Sequence, residues 1–182
     1  MKVIGVVGLP ASGKGEFSKI ASAMNVPVVV MGDMIRRAVR NEGLEPSDAN
    51  LGRVADRLRA EQGMDAIARL CIPEVQRQTA PLVLIDGIRG DAEVTLFRKT
   101  FPGFTLISID SSFGNRLSRV AVRGRSDDFQ TADELHNRDE RELRWGLGNA
   151  LKQSDVQIMN NGTLEEFSVT VHKLLYNIRN DP

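Results

Sequence analysis

The sequence predicts an α/β chain built on a five-stranded parallel sheet, and two patterns lead there. Short runs of β-branched and aliphatic residues, almost free of charge, recur at residues 3–7, 28–31, 82–85, 105–109 and 156–159. Each is too short for a helix and apolar on both faces, as a strand covered from both sides must be. Between these runs the apolar residues fall at helical spacing, and strands alternating with helices mean repeated βα units and a parallel sheet.

Taken in order, residues 3–7 form the first strand. Phe17, Ile20, Ala21 and Met24 then fall at i, i+3, i+4 and i+7, which makes residues 16–24 an amphipathic helix. After the second strand, residues 32–80 read as several helices with a polar break, NEGLEPSDAN; Leu51, Val54, Ala55 and Leu58 mark the buried face of one of them. One crossover helix needs far less chain, so this segment reads as a helical acceptor-binding insertion on the ligand-facing side. The third and fourth strands follow, and RGRSDDFQTAD, residues 123–133, is a charged segment that reads as a short lid. Thr131 with Glu134, and Thr163 with Glu166, fit the S/T-x-x-E capping box and mark two helix starts around the fifth strand. At 182 residues the chain is the size of one domain, 1–182.

Composition excludes several classes of function. The 24 basic and 24 acidic side chains cancel, so nothing global draws the chain to nucleic acid or an anionic membrane. One cysteine, Cys71, excludes an internal disulfide and a cysteine-rich zinc site. No apolar run approaches the roughly 20 residues that span a bilayer, and MKVIGVVG lacks the features of a signal peptide. The expectation is a cytoplasmic protein, a monomer or small homo-oligomer, whose partner is a small molecule.

GLPASGKGEF, residues 8–17, lies in the first strand-to-helix turn. Gly8, Gly13 and Lys14 satisfy G-x-x-x-x-G-K. At that spacing loop N–H groups and a helix N-terminus converge on an anion, and the lysine reaches the terminal phosphates. Pro10, Ala11, Ser12, Gly15 and Glu16 complete the loop. The usual Ser or Thr after the lysine, whose hydroxyl sits on Mg²⁺, is replaced by Gly15 and then Glu16.

Three further stretches supply charge. In MGDMIRRAVR, residues 31–40, Asp33 can cap a helix whose buried face is Met34, Ile35, Ala38 and Val39. Arg36, nearest the strand end, is placed to fork onto a phosphate, whereas Arg37 and Arg40 read as a solvated face. In LVLIDGIRG, residues 82–90, Asp86 closes an apolar strand and either holds Mg²⁺ through water or simply ends the strand. Gly87 permits close approach of a ligand, and Arg89 is a second phosphate clamp. Finally, Arg116, Arg119, Arg123, Arg125, Arg138, Arg141 and Arg144 alternate with carboxylates, so several must sit in ordinary salt bridges. Arg123, Arg125 and Arg138 are the candidates for charge on a migrating phosphoryl group. His136 and His172 lack ligand spacing, Cys71 occupies a core position, and Trp145 either packs or meets a base.

GLPASGKGEF, GDMIR and DGIR, in this order and spacing, resemble the adenylate kinase branch of the P-loop kinases. SDVQIMNNGTLEEF is similar instead to the closing strand and helix of dephospho-CoA kinases. The whole chain resembles an archaeal family of adenylate-kinase-related proteins, dephospho-CoA-kinase-like in label, through LRAEQGMDAIAR, DGIRGDAEV and RGRSDD. The resemblance implies a P-loop NTPase fold of the NMP-kinase-like, three-layer type, with ATP and Mg²⁺ as cofactors. It assigns Lys14 and the loop backbone to the β- and γ-phosphates and Arg36 with Arg89 to the acceptor's phosphate. Asp33 and Asp86 would position water around Mg²⁺, and Arg123 and Arg138, with Arg125 on the nucleotide, would close over the transferred group. Asn160, Asn161 and Gly162 would line the adenine edge.

The chain departs from that pattern in four places: Ala11 stands for an expected Gly, the Pro of D-G-F-P-R is missing, the lid is short and has no zinc-binding cysteines, and D-A-D is absent. In the adenylate kinase branch the hydroxyl comes one residue later, where this chain has Glu16. Glu16 either joins the metal's shell or turns away in the first helical turn, where the dipole favours it; the second reading is adopted. The function expected is transfer of the ATP γ-phosphoryl group to a nucleoside monophosphate. The alternatives are a dephospho-CoA kinase and a nucleotide-binding regulatory switch with little turnover.

Overall fold

The computed structural model describes residues 1–123 and 131–180. Among these, β1 (Lys2–Val7), β2 (Val28–Val30), β3 (Leu82–Ile88), β4 (Thr105–Asp110) and β5 (Val156–Met159) form one sheet in the order β2-β3-β1-β4-β5, every pairing parallel. The chain leaves central β1, passes to the β2 edge and returns through β3 before continuing to β4. β1 therefore ends where the strand order reverses, and in open α/β sheets that crevice beyond the strand ends is where ligands bind.

Alternation along each strand divides the core into two layers. Val3 and Val7 of β1, Val83 and Ile85 of β3 and Leu106 of β4 face one cluster. It is completed by α2 (Met31–Asn41), α3 (Asp48–Gln62), α4 (Ala66–Gln76), α5 (Asp91–Thr100) and α8 (Leu147–Lys152). Ile4 and Val6, Leu82 and Leu84, and Ile107 and Ile109 face the other, against α1 (Lys14–Ala23) and α9 (Leu164–Asn180). Cys71 is fully buried in the first, and burial pushes its thiol up to about 12. α6 (Phe113–Arg123) and α7 (Ala132–Arg144) follow β4.

One irregularity shapes the ligand end. The β1–β3 register runs Val6 to Asp86 and then Val7 to Ile88, so Gly87 is bulged out at φ +96°. The bulge reverses the strand's parity, which is why Ile88 joins Val83 and Ile85 in the same layer. It also carries β3 three residues beyond the apolar run. The expected helical segment resolves into α2, α3 and α4, with the polar break between α2 and α3. Thr131 caps α7, its Oγ1 accepting from Glu134 N at 3.2 Å, and the second capping box forms in both directions: Thr163 N donates to Glu166 at 2.8 Å while Glu166 N donates to Thr163 Oγ1 at 3.2 Å. Of the lid segment, residues 124–130, Arg125 included, lie outside the described residues.

Candidate active site

The loop between β1 and α1 takes its shape from two left-handed positions, Ala11 at φ +61° and Gly13 at φ +119°. A Cβ on Gly8 would lie 2.5 Å from Ser12 Oγ and 2.6 Å from the Ile109 carbonyl, and one on Gly13 would lie 2.4 Å from Asn160 Nδ2. Glycine is therefore required sterically at both ends of the turn. Ala11 holds the left-handed conformation with a side chain, at a cost of order 1 kcal/mol. Because Gly13 is left-handed, α1 begins at Lys14, two residues earlier than its apolar spacing suggests, with no side-chain cap on its first turn.

The loop is braced from behind. Asn160, buried at the end of β5, donates from Nδ2 to the Ser12 carbonyl at 2.8 Å. Arg119 of α6 donates to the same carbonyl at 3.3 Å and to Asn160 O at 2.6 Å. Arg116, also buried, reaches the Pro10 carbonyl at 3.1 Å while its other contacts form a two-pronged pair with Asp139 at 2.9 and 2.7 Å. Asn161 accepts from Ser112 N at 2.9 Å and from Asn115 Nδ2 at 3.1 Å, fixing the start of α6. Gly162 lies against Glu166 of the α9 capping box.

In front of the loop the charges converge. Lys14 Nζ donates to the Gly8 and Leu9 carbonyls. Burial lowers its pKa to about 8; Arg89 and Arg138 add to that, and Glu142 and Asp86 oppose it. Arg89, in the β3–α5 turn, donates to Glu142 Oε1, and Arg138 Nε donates to the same oxygen at 3.2 Å. Glu142 is almost wholly buried. Burial alone would raise its pKa, but Arg89, Lys14 and Arg138 together hold it below the usual carboxylate range. Thus three cations from three separate segments surround one carboxylate. Arg138 and Arg141 also reach Asp48, at the start of α3, at 3.2 Å, tying the helical segment to α7.

Beside this cluster Ser18 Oγ donates to Asp86 Oδ2 at 2.8 Å. A hydroxyl and a carboxylate thus meet one helical turn beyond the loop lysine, where Glu16 does not reach. Glu16 pairs instead with Lys19 at 2.9 Å on the outer face of α1. Asp33 and Arg36 pair with each other at 2.6 Å on the exposed side of α2 and, among the described residues, make no hydrogen bond or ion pair with the groups around Lys14. Arg37 pairs with Glu74 at 3.2 Å. Arg123 ends α6. Trp145 packs, stacked 4.4 Å from the Arg59 guanidinium, with its indole N–H on Asp56 at 2.6 Å. His136 stacks on Phe113.

The donor set fits a polyphosphate. Ser12 Oγ is buried with no hydrogen-bond partner, in a loop where Gly8 and Gly13 leave no room for a side chain. Oxygen donors from Ser18 and Asp86 suit Mg²⁺, which commonly takes one or two carboxylates and completes its shell with water and phosphate.

Comparisons agree with this geometry. Residues 4–144 match the family model described as an AAA domain. A UPF0200 protein of Methanoregula boonei is 62% identical over 182 residues, covering 100% of both chains, and one of Methanoculleus marisnigri is 59% identical over 96% of each. The chain belongs to the UPF0200 family. Its fold is P-loop kinase-like. A crystal structure from Thermus thermophilus superposes with a TM-score of 0.68 at 19% identity, covering 97% of each chain. A gluconokinase from Sinorhizobium meliloti gives 0.58 at 18%, covering 97% of this chain and 95% of that one, and a shikimate kinase from Aquifex aeolicus gives 0.54 at 16% over 100% of both. At these identities the likeness is one of fold. Among the described residues of this UPF0200 member, no helix is long and apolar enough to cross a membrane.

Ser18, Glu142, Arg116 and Arg119 are the site residues that the sequence reading did not select. A signal for Glu142 existed: Leu135, Asp139 and Glu142 fall at i, i+4 and i+7, and they are the buried stripe of α7. On so charged a helix that stripe reads as chance.

Proposed function

We propose that the chain is an ATP- and Mg²⁺-dependent phosphotransferase whose acceptor is a small phosphorylated molecule, a nucleoside monophosphate before any other. The observation that carries this reading is the convergence of Lys14, Arg89 and Arg138, from α1, the β3–α5 turn and α7, around a single anionic position. Phosphoryl transfer asks a protein mainly for positioning and for positive charge on the group in transit, and a kinase-like fold with such a cluster supplies both.

When bound, Mg²⁺-ATP would supply the phosphoryl group and a cation that offsets the phosphates' negative charge. The chain's own residues do the rest. The Gly8–Lys14 turn offers N–H groups and the start of α1 to the phosphates. Lys14 exchanges its loop carbonyls for phosphate oxygen, and its attraction for that oxygen is stronger where little water screens it. Ser18 and Asp86 would hold the metal through their oxygens or through water. Arg89 and Arg138 clamp the acceptor's phosphate and the migrating group, and the α2–α4 segment, tied to α7 through Asp48, shapes the acceptor pocket.

The test is a panel of AMP, CMP, UMP, GMP, their deoxy forms and dephospho-CoA, each with ATP and Mg²⁺, resolved by chromatography, with Lys14→Ala as control. The expected result is Lys14-dependent product from a nucleoside monophosphate. Product from dephospho-CoA alone would replace that acceptor. ATP binding without product from any acceptor would sink the kinase reading in favour of a nucleotide-dependent switch.

A further inference from the structure

Among the described residues, Glu142 is the carboxylate shared by both arginines just assigned to phosphate, and its chemistry is that of a phosphate substitute. Burial of a carboxylate is costly unless charge and hydrogen bonds compensate it, and Arg89, Arg138 and Lys14 provide that compensation here. Both arginines donate to the same oxygen, Oε1, so their guanidinium groups already aim at one point. The fork of a guanidinium matches carboxylate and phosphate equally. Arg138 has in addition Asp48, and Arg89 stacks 5.7 Å from Trp145. Neither arginine therefore depends on Glu142 alone for its place. Lys14, by contrast, makes its hydrogen bonds to loop carbonyls and feels Glu142 only through space.

We propose that Glu142 is a positioning residue that serves as the site's internal anion, holding Arg89 and Arg138 aimed at one point until a phosphoryl oxygen of the ligand takes the place of its Oε1. This rests on the reading that the loop binds polyphosphate. It follows that Glu142 competes with the ligand. Neutralising it weakens the folded apo-protein, because the arginines lose their counter-charge, yet strengthens phosphate binding. A merely structural carboxylate would weaken both.

The probe is inorganic tripolyphosphate, which has neither base nor ribose, titrated calorimetrically into wild type and Glu142→Gln at one pH and ionic strength. The expected result is about tenfold tighter binding by the variant, the direction Coulomb's law requires when a like charge leaves the site. Binding by wild type with an equal or weaker variant overturns the proposal and leaves the nucleotide reading intact. No binding by either protein overturns both. Should Glu142→Gln fail to fold, a crystal structure of the wild-type tripolyphosphate complex decides: Arg89 on a phosphate oxygen and released from Glu142 supports the proposal, and a retained Arg89–Glu142 pair overturns it.

Discussion

The two sides of the phosphate loop are both rich in arginine and use it in opposite ways. Behind the loop, Arg116 and Arg119 spend their hydrogen bonds on the Pro10, Ser12 and Asn160 carbonyls and on Asp139, partners that belong permanently to the fold. In front, Arg89 and Arg138 meet on one oxygen of one side chain, a partner that a ligand oxygen can replace. The difference teaches that an arginine's neighbours, and not its place in a basic segment, decide whether it braces a site or serves it. Arg116 and Arg119 lie within one short helix with Arg123, so no spacing rule would have separated them.

The sharpest way to break this contrast is to remove one cation from each side. Lys14→Ala, in front, is expected to reduce phosphotransfer by about 10³-fold or more while the urea midpoint changes little, since Arg89 and Arg138 still hold Glu142 and the loop carbonyls it leaves can take water. Arg116→Ala, behind, is expected to do the reverse. It strands Asp139 in the interior, which costs about 3–5 kcal/mol in urea denaturation, and it affects catalysis only through the loop's shape. Equal losses of stability from the two variants would remove the distinction.

A second test concerns the metal side of the front. Asp86→Asn should raise the Mg²⁺ concentration needed for half-maximal rate by roughly tenfold, because Ser18 keeps a hydrogen-bond partner but the cation loses a negative ligand. An unchanged Mg²⁺ dependence would exclude Asp86 from the metal's surroundings.

Proton linkage gives a smaller, graded effect. Lys14 has its pKa lowered to about 8, chiefly by burial, so it is charged below that pH and neutral above it. Phosphate binding requires the charged form. Affinity for ADP should therefore be flat below pH 8 and fall by up to about tenfold per pH unit above it. Calorimetry between pH 6.5 and 9.5 would show the break, and a flat profile to pH 9.5 would mean that Lys14 is not desolvated.

The smallest change is expected at Glu16. Its partner Lys19 is an exposed neighbour on the same helix, and such pairs contribute less than about 0.5 kcal/mol. Glu16→Ala should leave both stability and Mg²⁺ dependence nearly unchanged. A marked shift in the Mg²⁺ requirement would return Glu16 to the metal and contradict its orientation here.

What could be read beforehand follows a physical division. The strands and their parallel arrangement were legible because burial on both faces demands continuous apolar runs, and 3–7, 82–85 and 105–109 display them. The loop was legible because two of its demands are local, the approach of Gly8 to Ser12 and the left-handed φ of Gly13, while the approaches to Ile109 and Asn160 add to them from the fold. Lys14 opens the helix after β1, Asp86 lies near the end of β3 and Arg89 follows it, so their place at the ligand side follows from chain order alone. Ser18 and Glu142 were not legible, since each acquires its meaning from a partner 68 or 53 residues away. Asp33 and Arg36 show the same limit from the other side: three residues apart in the motif to which phosphate binding is ascribed, they turn to each other on an exposed helix face. Local spacing thus settles backbone form and which segments reach the crevice, because those depend on near neighbours and on burial. The pairing of charges within the crevice depends on which helices the fold stacks together, and that became visible in the ion pairs that join α7 to α6, to α3 and to the β3–α5 turn.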